Sequence, residues 1–289
     1  MKPGDVRKVG VIGCGIMGSG IVEVCARADI DVTYVEATDE FVTGGRQRIE
    51  RSVGKAVERG KLSPEDGEAA LGRIAGTTDF EALSDADLAI EAVVENLDAK
   101  LEVFRTLDRV TRDEVILASN TSSIPIVKLG AATGRPGKVI GMHFFNPPPV
   151  MKLIELVRAL TTSDETVEFA QVFAERLGKV TVLSKDRAGF IVNLLLIPYL
   201  NGAVRMLEEG FASAEDIDAA VKLGLSHPMG PLELLDFVGL DTTLFIAEIL
   251  YEEFKIPEYA PPPLLKRMVE AGRLGRKSGR GFFDYTEKG

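Results

Sequence analysis

The chain has 289 residues, 45% hydrophobic and 27% charged, a length typical of two domains that can bury a core without disulfide or metal staples. Its 34 basic and 44 acidic side chains leave a formal net charge of −10, which argues against nucleic acid or an anionic membrane as main partner. Two cysteines, Cys14 and Cys25, fit a reducing compartment, and two histidines cannot supply a His-rich metal site. The start, Met1-Lys2-Pro3-Gly4-Asp5, has no charged segment leading into a cleavable apolar run, so no leader is expected. No uncharged apolar stretch approaches the ~18 residues of a membrane span, which makes a cytoplasmic protein the expectation. Residues 6–12 read as a strand, 16–28 as a helix and 32–35 as a second strand. Residues 39–75 are charged and read as two helices broken near Ser63-Pro64. Strands follow at 88–93 and 115–118, separated by a helix over 98–110 with Asp98 as its cap. Strands at 139–145 and 152–156, a helix at 164–177 stopped by Gly178, and a strand at 180–183 complete this part. Beyond residue 186 only helices are expected, at 190–207, 214–222, 232–238, 242–254 and 264–271. The pattern predicts a Rossmann-type α/β domain over residues 1–185 and an all-α domain over 186–289.

Gly13-Cys14-Gly15-Ile16-Met17-Gly18 matches GxGxxG between the first strand and the first helix, the context in which that motif signals dinucleotide binding. Gly13 permits the tight turn, Gly15 lets the backbone approach a pyrophosphate, and Gly18 lets the helix pack closely on the strand. Glu36 ends the second strand, where a carboxylate accepts hydrogen bonds from the adenosine ribose hydroxyls and repels a 2′-phosphate. NAD is therefore expected rather than NADP. The plainer reading is a glycine turn with a solvated Glu.

Ser119-Asn120-Thr121-Ser122-Ser123 follows a strand directly, at the end that faces the ligand crevice of an open parallel sheet. His143 sits in an apolar strand just before Asn146-Pro147, and Glu155 lies 12 residues later in another short apolar strand. A carboxylate at such a position wants a partner, and adjacent strands would bring it to His143. The competing readings are a satisfied core histidine and a solvent-facing Glu155.

These segments, in this order over nearly the whole chain, resemble the L-3-hydroxyacyl-CoA dehydrogenase family, including its short 3-hydroxybutyryl-CoA type. The resemblance also runs through Glu91-Ala92-Val93-Val94-Glu95-Asn96, Gly189-Phe190-Ile191-Val192-Asn193, Pro228-Met229-Gly230-Pro231, Gly239-Leu240-Asp241 and Lys277-Ser278-Gly279-Arg280-Gly281-Phe282. It implies NAD-dependent interconversion of a 3-hydroxyacyl-CoA and its 3-keto form. His143 would be the general base and Glu155 its orienting partner, while Ser122 and Asn193 would contact the substrate oxygen and position the thioester. Glu95, Lys100, Asn120, Ser122, Asn146 and Lys277 would line the cofactor together with Gly13, Gly15, Ile16, Met17, Gly18 and Glu36. Ser52 and Lys100 would contact CoA, with Arg59, and Lys61 near it, toward its phosphates. A homodimer is also implied, with the helical domain carrying substrate and dimer contacts.

The sequence departs from the family pattern at Leu194, where Arg usually follows the Asn, at His227, where an aromatic residue is common, and at Glu36, which replaces the commoner Asp. His227 reads as structural or surface rather than as a second base. Two other functions compete: a dehydrogenase of a free hydroxy acid or sugar acid on the same fold, and an NAD-binding protein with a lapsed active site. Intact His143 and Glu155 argue against the latter.

Overall fold

The Val- and Ile-rich runs of the first part form strands because β-branched side chains pack well on a sheet covered on both faces, where alternation with polar residues is not required. A computed structural model describes residues 6–286; Met1 to Asp5, on which the absence of a leader was read, lie outside the described residues. The chain divides into two compact units, Met1–Arg187 and Ala188–Gly289. The first contains β1 (Lys8–Ile12), α1 (Ile16–Arg27), β2 (Asp31–Val35), α2 (Asp39–Glu58), α3 (Pro64–Gly72), β3 (Ile74–Thr77) and β4 (Leu88–Glu91). It continues with α4 (Leu97–Val110), β5 (Ile116–Ser119), α5 (Ile126–Gly130), β6 (Val139–Phe144), β7 (Leu153–Arg158), α6 (Asp164–Arg176) and β8 (Val180–Lys185).

The strands form one sheet in the order β3-β2-β1-β4-β5-β6-β7-β8. Pairing is parallel from β3 through β6, antiparallel between β6 and β7, and parallel again between β7 and β8. The chain runs outward from β1 to β3, then returns to place β4 on the other side of β1. That reversal leaves a crevice at the C-terminal ends of β1 and β4, where such sheets bind ligands. The core beneath it is apolar, with Val9, Val11, Ile21, Val32, Ile90, Ile140 and Phe173 among its fully or almost fully buried side chains. Cys14 and Cys25 are free and buried, and burial pushes both thiols up to about 12.

Two local expectations change. The charged segment expected to be helical to residue 75 ends earlier, and its last residues form β3, whose Ile74 pairs with Val32. Four residues, Ile-Ala-Gly-Thr, hold one large apolar side chain and are too few to show a strand period. The cap of α4 is Asn96, whose side chain accepts from the Ala99 amide, and not Asp98. Asp98 lies inside the first turn, where its charge favours the helix dipole.

The second unit is helical: α7 (Val192–Glu208), α8 (Ala214–Gly224), α9 (Pro231–Val238), α10 (Leu240–Phe254) and α11 (Pro263–Glu270). Leu200, Val204, Leu232, Leu235, Leu240 and Leu265 form its core. Its tail is tied down by Asp236, whose carboxylate accepts the Phe282 and Phe283 amides. Isolated bridges pair Gly275 with Arg280 and Arg280 with Asp284, the departure from an all-helical expectation. Among the described residues no helix is long and apolar enough to cross a membrane.

Candidate active site

The glycine loop is fixed by contacts that exclude a side chain. Gly13 has φ +88°, and a Cβ there would lie 2.7 Å from the Ala92 carbonyl oxygen. A Cβ on Gly18 would lie 1.8 Å from the Gly13 carbonyl oxygen, so only glycine lets α1 start this close to the turn. At Gly15 an added Cβ would meet nothing within 4 Å: the backbone there faces open space. Gly15 caps α1 without a side-chain acceptor, so the first amides of the helix are available to an anion. A cleft of about 760 Å³ opens here, lined by Gly13, Gly15, Ile16, Glu36, Phe41, Arg48, Val93 and Val94 among others. Glu36 Oε1 accepts the Cys14 amide at 2.5 Å, which holds the carboxylate at the mouth of the turn. An open glycine backbone, a helix N-terminus and an anchored carboxylate fit a dinucleotide.

Farther along the sheet, His143 of β6 and Glu155 of β7 are directly opposed in the antiparallel register. Their side chains meet, with Nδ1 2.8 Å from Oε2, and both are buried. A carboxylate opposite one ring nitrogen selects the tautomer that donates from Nδ1, because an ionised carboxylate can only accept. The Phe145 ring stands 4.7 Å from the imidazole, centroid to centroid.

The loop after β5 is tied to the end of β6 and to Glu95. Asn120 Oδ1 accepts the Phe144 amide at 2.9 Å, which couples the loop to the strand end that carries His143. Glu95 Oε1 accepts from the Ser122 amide at 3.0 Å, the Ser123 amide at 3.2 Å, the Ser123 hydroxyl at 2.9 Å and the Thr121 hydroxyl. Burial alone would push the Glu95 carboxyl up; the Lys100 charge and the Thr121 and Ser123 hydroxyls outweigh it and hold it below the usual glutamate range.

Lys100 is placed differently from the expectation. It is 1% exposed, with its ammonium 2.6 Å from Glu91 Oε1 and 3.2 Å from Glu95 Oε2. In this arrangement it points into the domain, where it secures Glu95, whereas the family resemblance gave it contacts to the cofactor and to CoA. Glu91 in turn accepts the Ser119 hydroxyl at 2.6 Å and the Val93 amide at 2.7 Å. Glu91, Ser119, Thr121 and Ser123 lie in stretches noted in the sequence but were given no individual role there. The available signal was a carboxylate closing the apolar run Leu88-Ala89-Ile90, the same signal that marked Glu155.

The remaining expected residues are dispersed. Ser52, Arg59 and Lys61 are exposed on and just after α2. Met17 is half-buried in the first turn of α1, Ile16 is exposed, and Asn146 is exposed beyond the end of β6. In the second unit Asn193 is buried in the first turn of α7, and Lys277 pairs with Asp241 at 2.6 Å. Leu194 packs against the cluster of Ala188, Ile197, Ile246, Ala247 and Leu250. His227 is exposed, 3.3 Å from the Tyr199 hydroxyl.

Residues 8–187 match the 3-hydroxyacyl-CoA dehydrogenase NAD binding domain, and residues 189–285 match the 3-hydroxyacyl-CoA dehydrogenase C-terminal domain. The chain belongs to the 3-hydroxyacyl-CoA dehydrogenase family. It is 55% identical to the 3-hydroxybutyryl-CoA dehydrogenase of Mycobacterium tuberculosis over 97% of this chain and 99% of that protein. The human mitochondrial hydroxyacyl-coenzyme A dehydrogenase is 44% identical over 97% of this chain and 91% of its own length. The crystal structure of the (S)-3-hydroxybutyryl-CoA dehydrogenase from Ralstonia eutropha matches with a TM-score of 0.92 and 45% identity, covering 98% of this chain and all of that one. The glycine loop, Glu36 and the cleft thus lie in the NAD-binding domain of a 3-hydroxyacyl-CoA dehydrogenase.

Proposed function

We propose that this 3-hydroxyacyl-CoA dehydrogenase oxidises a short (S)-3-hydroxyacyl-CoA, such as 3-hydroxybutyryl-CoA, to the 3-keto thioester and catalyses the reverse reaction. The observation that carries the residue assignment is the buried His143–Glu155 pair at 2.8 Å. Nε2 of His143 takes the hydroxyl proton while Glu155 holds the tautomer and balances the imidazolium that forms. NAD, when bound, accepts the hydride released from the carbinol carbon. The Ser122 hydroxyl donates to the substrate oxygen as it becomes a carbonyl and, in reverse, as negative charge develops on it. Glu95 and Asn120 position that serine: the first holds the loop's amides, the second fixes the loop to β6. In the reductive direction the imidazolium of His143 returns the proton.

The exposed Ser52 and Arg59, with Lys61 nearby, are the CoA-facing residues in this reading. Lys100 acts from within by securing Glu95, and Asn193 and Lys277 keep the roles that the family resemblance implies. We place the enzyme in the cytoplasm as a homodimer. The experiment is NADH oxidation with acetoacetyl-CoA compared with free acetoacetate and a sugar-derived keto acid. Fast turnover with acetoacetyl-CoA alone is expected; turnover confined to a free acid would discard the CoA reading while leaving His143 and Glu155 in place.

A further inference from the structure

Glu36 directly follows the second strand, and in the third turn of the next helix the chain carries Arg48. Both charged groups hold the backbone of one residue of the glycine loop. Glu36 Oε1 accepts the Cys14 amide at 2.5 Å; Arg48 donates to the Cys14 carbonyl from Nε at 3.2 Å and from Nη2 at 2.9 Å. Both also line the same cleft. Arg46, two residues earlier on α2, makes a useful contrast: it pairs with Glu50 and donates to the Leu71 and Ile74 carbonyls, so its charge serves the fold. Arg48 is half-buried and, among the described residues, has no carboxylate within ion-pair distance. Two of the five N–H donors of its guanidinium meet the Cys14 carbonyl; the others and the whole positive charge remain for something else.

We propose that Arg48 is a cofactor-specificity residue: a ready-made anchor for the 2′-phosphate of NADP, whose attraction is present in the parent but outweighed by the carboxylate of Glu36. In dinucleotide folds a carboxylate at the end of the second strand binds the ribose hydroxyls and repels the 2′-phosphate, whereas an arginine nearby accommodates that phosphate. Here both devices occur together, anchored to opposite polar groups of Cys14. The repulsive element decides the preference, because a phosphate dianion beside an acceptor-only carboxylate loses more than one arginine returns. Removing the Glu36 charge therefore releases an attraction already built into α2, and no second substitution is needed. This inference rests on the dinucleotide site of the NAD-binding domain and is independent of the acyl substrate.

The test is titration of the full-length protein with NADH and NADPH, read by nicotinamide fluorescence without acyl substrate. Glu36→Gln keeps an acceptor for the Cys14 amide while removing the charge, and Glu36→Ser removes both. Either variant is expected to bind NADPH at least about tenfold more tightly than the parent, with a weakened hold on NADH. The double variant Glu36→Gln/Arg48→Met is expected to lose most of that gain. A measurement that leaves Glu36 untouched accompanies these: Arg48→Met in the parent should weaken NADPH more than NADH. No gain in the folded Glu36 variants, an equal gain in the double variant, or equal weakening of both cofactors by Arg48→Met would each overturn the proposal. A parent that fails to bind NADH would instead strike at the dinucleotide site itself.

Discussion

The Lys100 ammonium lies 2.6 Å from the Glu91 carboxylate, and both side chains are shut off from solvent. A buried pair of this kind adds little net stability over an apolar pair, but removing one partner strands the other. Lys100→Met is therefore expected to destabilise the domain by about 3–5 kcal/mol, the usual cost of an uncompensated buried charge. Adding Glu91→Gln to it should recover part of that loss, because the stranded carboxylate is gone. Denaturant unfolding of the two single variants and the double variant measures the coupling. Additive losses would mean that the pair does not act as a unit.

His143 and Glu155 are expected to separate chemistry from cofactor binding. His143→Ala should lower kcat by about 10²–10⁴-fold, the contribution of a positioned acid–base group, and leave the NADH dissociation constant unchanged. Glu155→Gln should lower kcat less, since an amide can still meet the imidazole while no longer balancing its charge. Steady-state kinetics beside NADH titration checks both. A His143→Ala enzyme as active as its parent would remove the proposed base.

Arg59 tests which end of the substrate faces α2. It caps the C-terminal end of that helix and is exposed. Arg59→Ala should raise KM for acetoacetyl-CoA roughly twofold to fivefold, the size of an exposed ion pair. A truncated acetoacetyl thioester lacking the nucleotide should respond no differently in variant and parent. Equal effects on both would defeat the CoA-phosphate assignment.

The sequence made the parts with strong local grammar legible. GxGxxG between a strand and a helix located the turn, and a Glu in an apolar strand pointed to the neighbour of His143; the register His143 to Glu155 follows that reading. Less was visible where one residue's role depends on distant partners. Lys100 was expected at the cofactor and CoA, and nothing nearby in sequence reveals that Glu91 and Glu95 enclose it. Glu91 carried the same signal as Glu155 but has no histidine partner to draw attention to it. Arg48 was hidden among the many basic residues of α2, because its bond to the Cys14 carbonyl spans 34 positions. Strand β3 was missed for want of length, and the cap of α4 because Asn96 and Asp98 are equally good capping types.

Glu95 links pH to the integrity of the loop that carries Ser122. Its carboxyl is held below the usual glutamate range, where Lys100 and the loop hydroxyls prevail over burial. A carboxyl with a lowered folded value contributes stability that is fully present above its unfolded value, about 4.3 for Glu, and is lost as pH falls through the folded value. At neutral pH the parent should therefore be more stable than Glu95→Gln, whose side chain cannot pair with Lys100 or accept at both ends. That advantage should stay level from pH 7 down to the ordinary glutamate range and shrink below it, as protonation turns Glu95 into a neutral donor. Amide exchange at Ser122 and Ser123 should report the same event locally, since both amides donate to Glu95. An advantage that grows on acidification would reverse the sign and show that burial, not Lys100, governs this carboxyl.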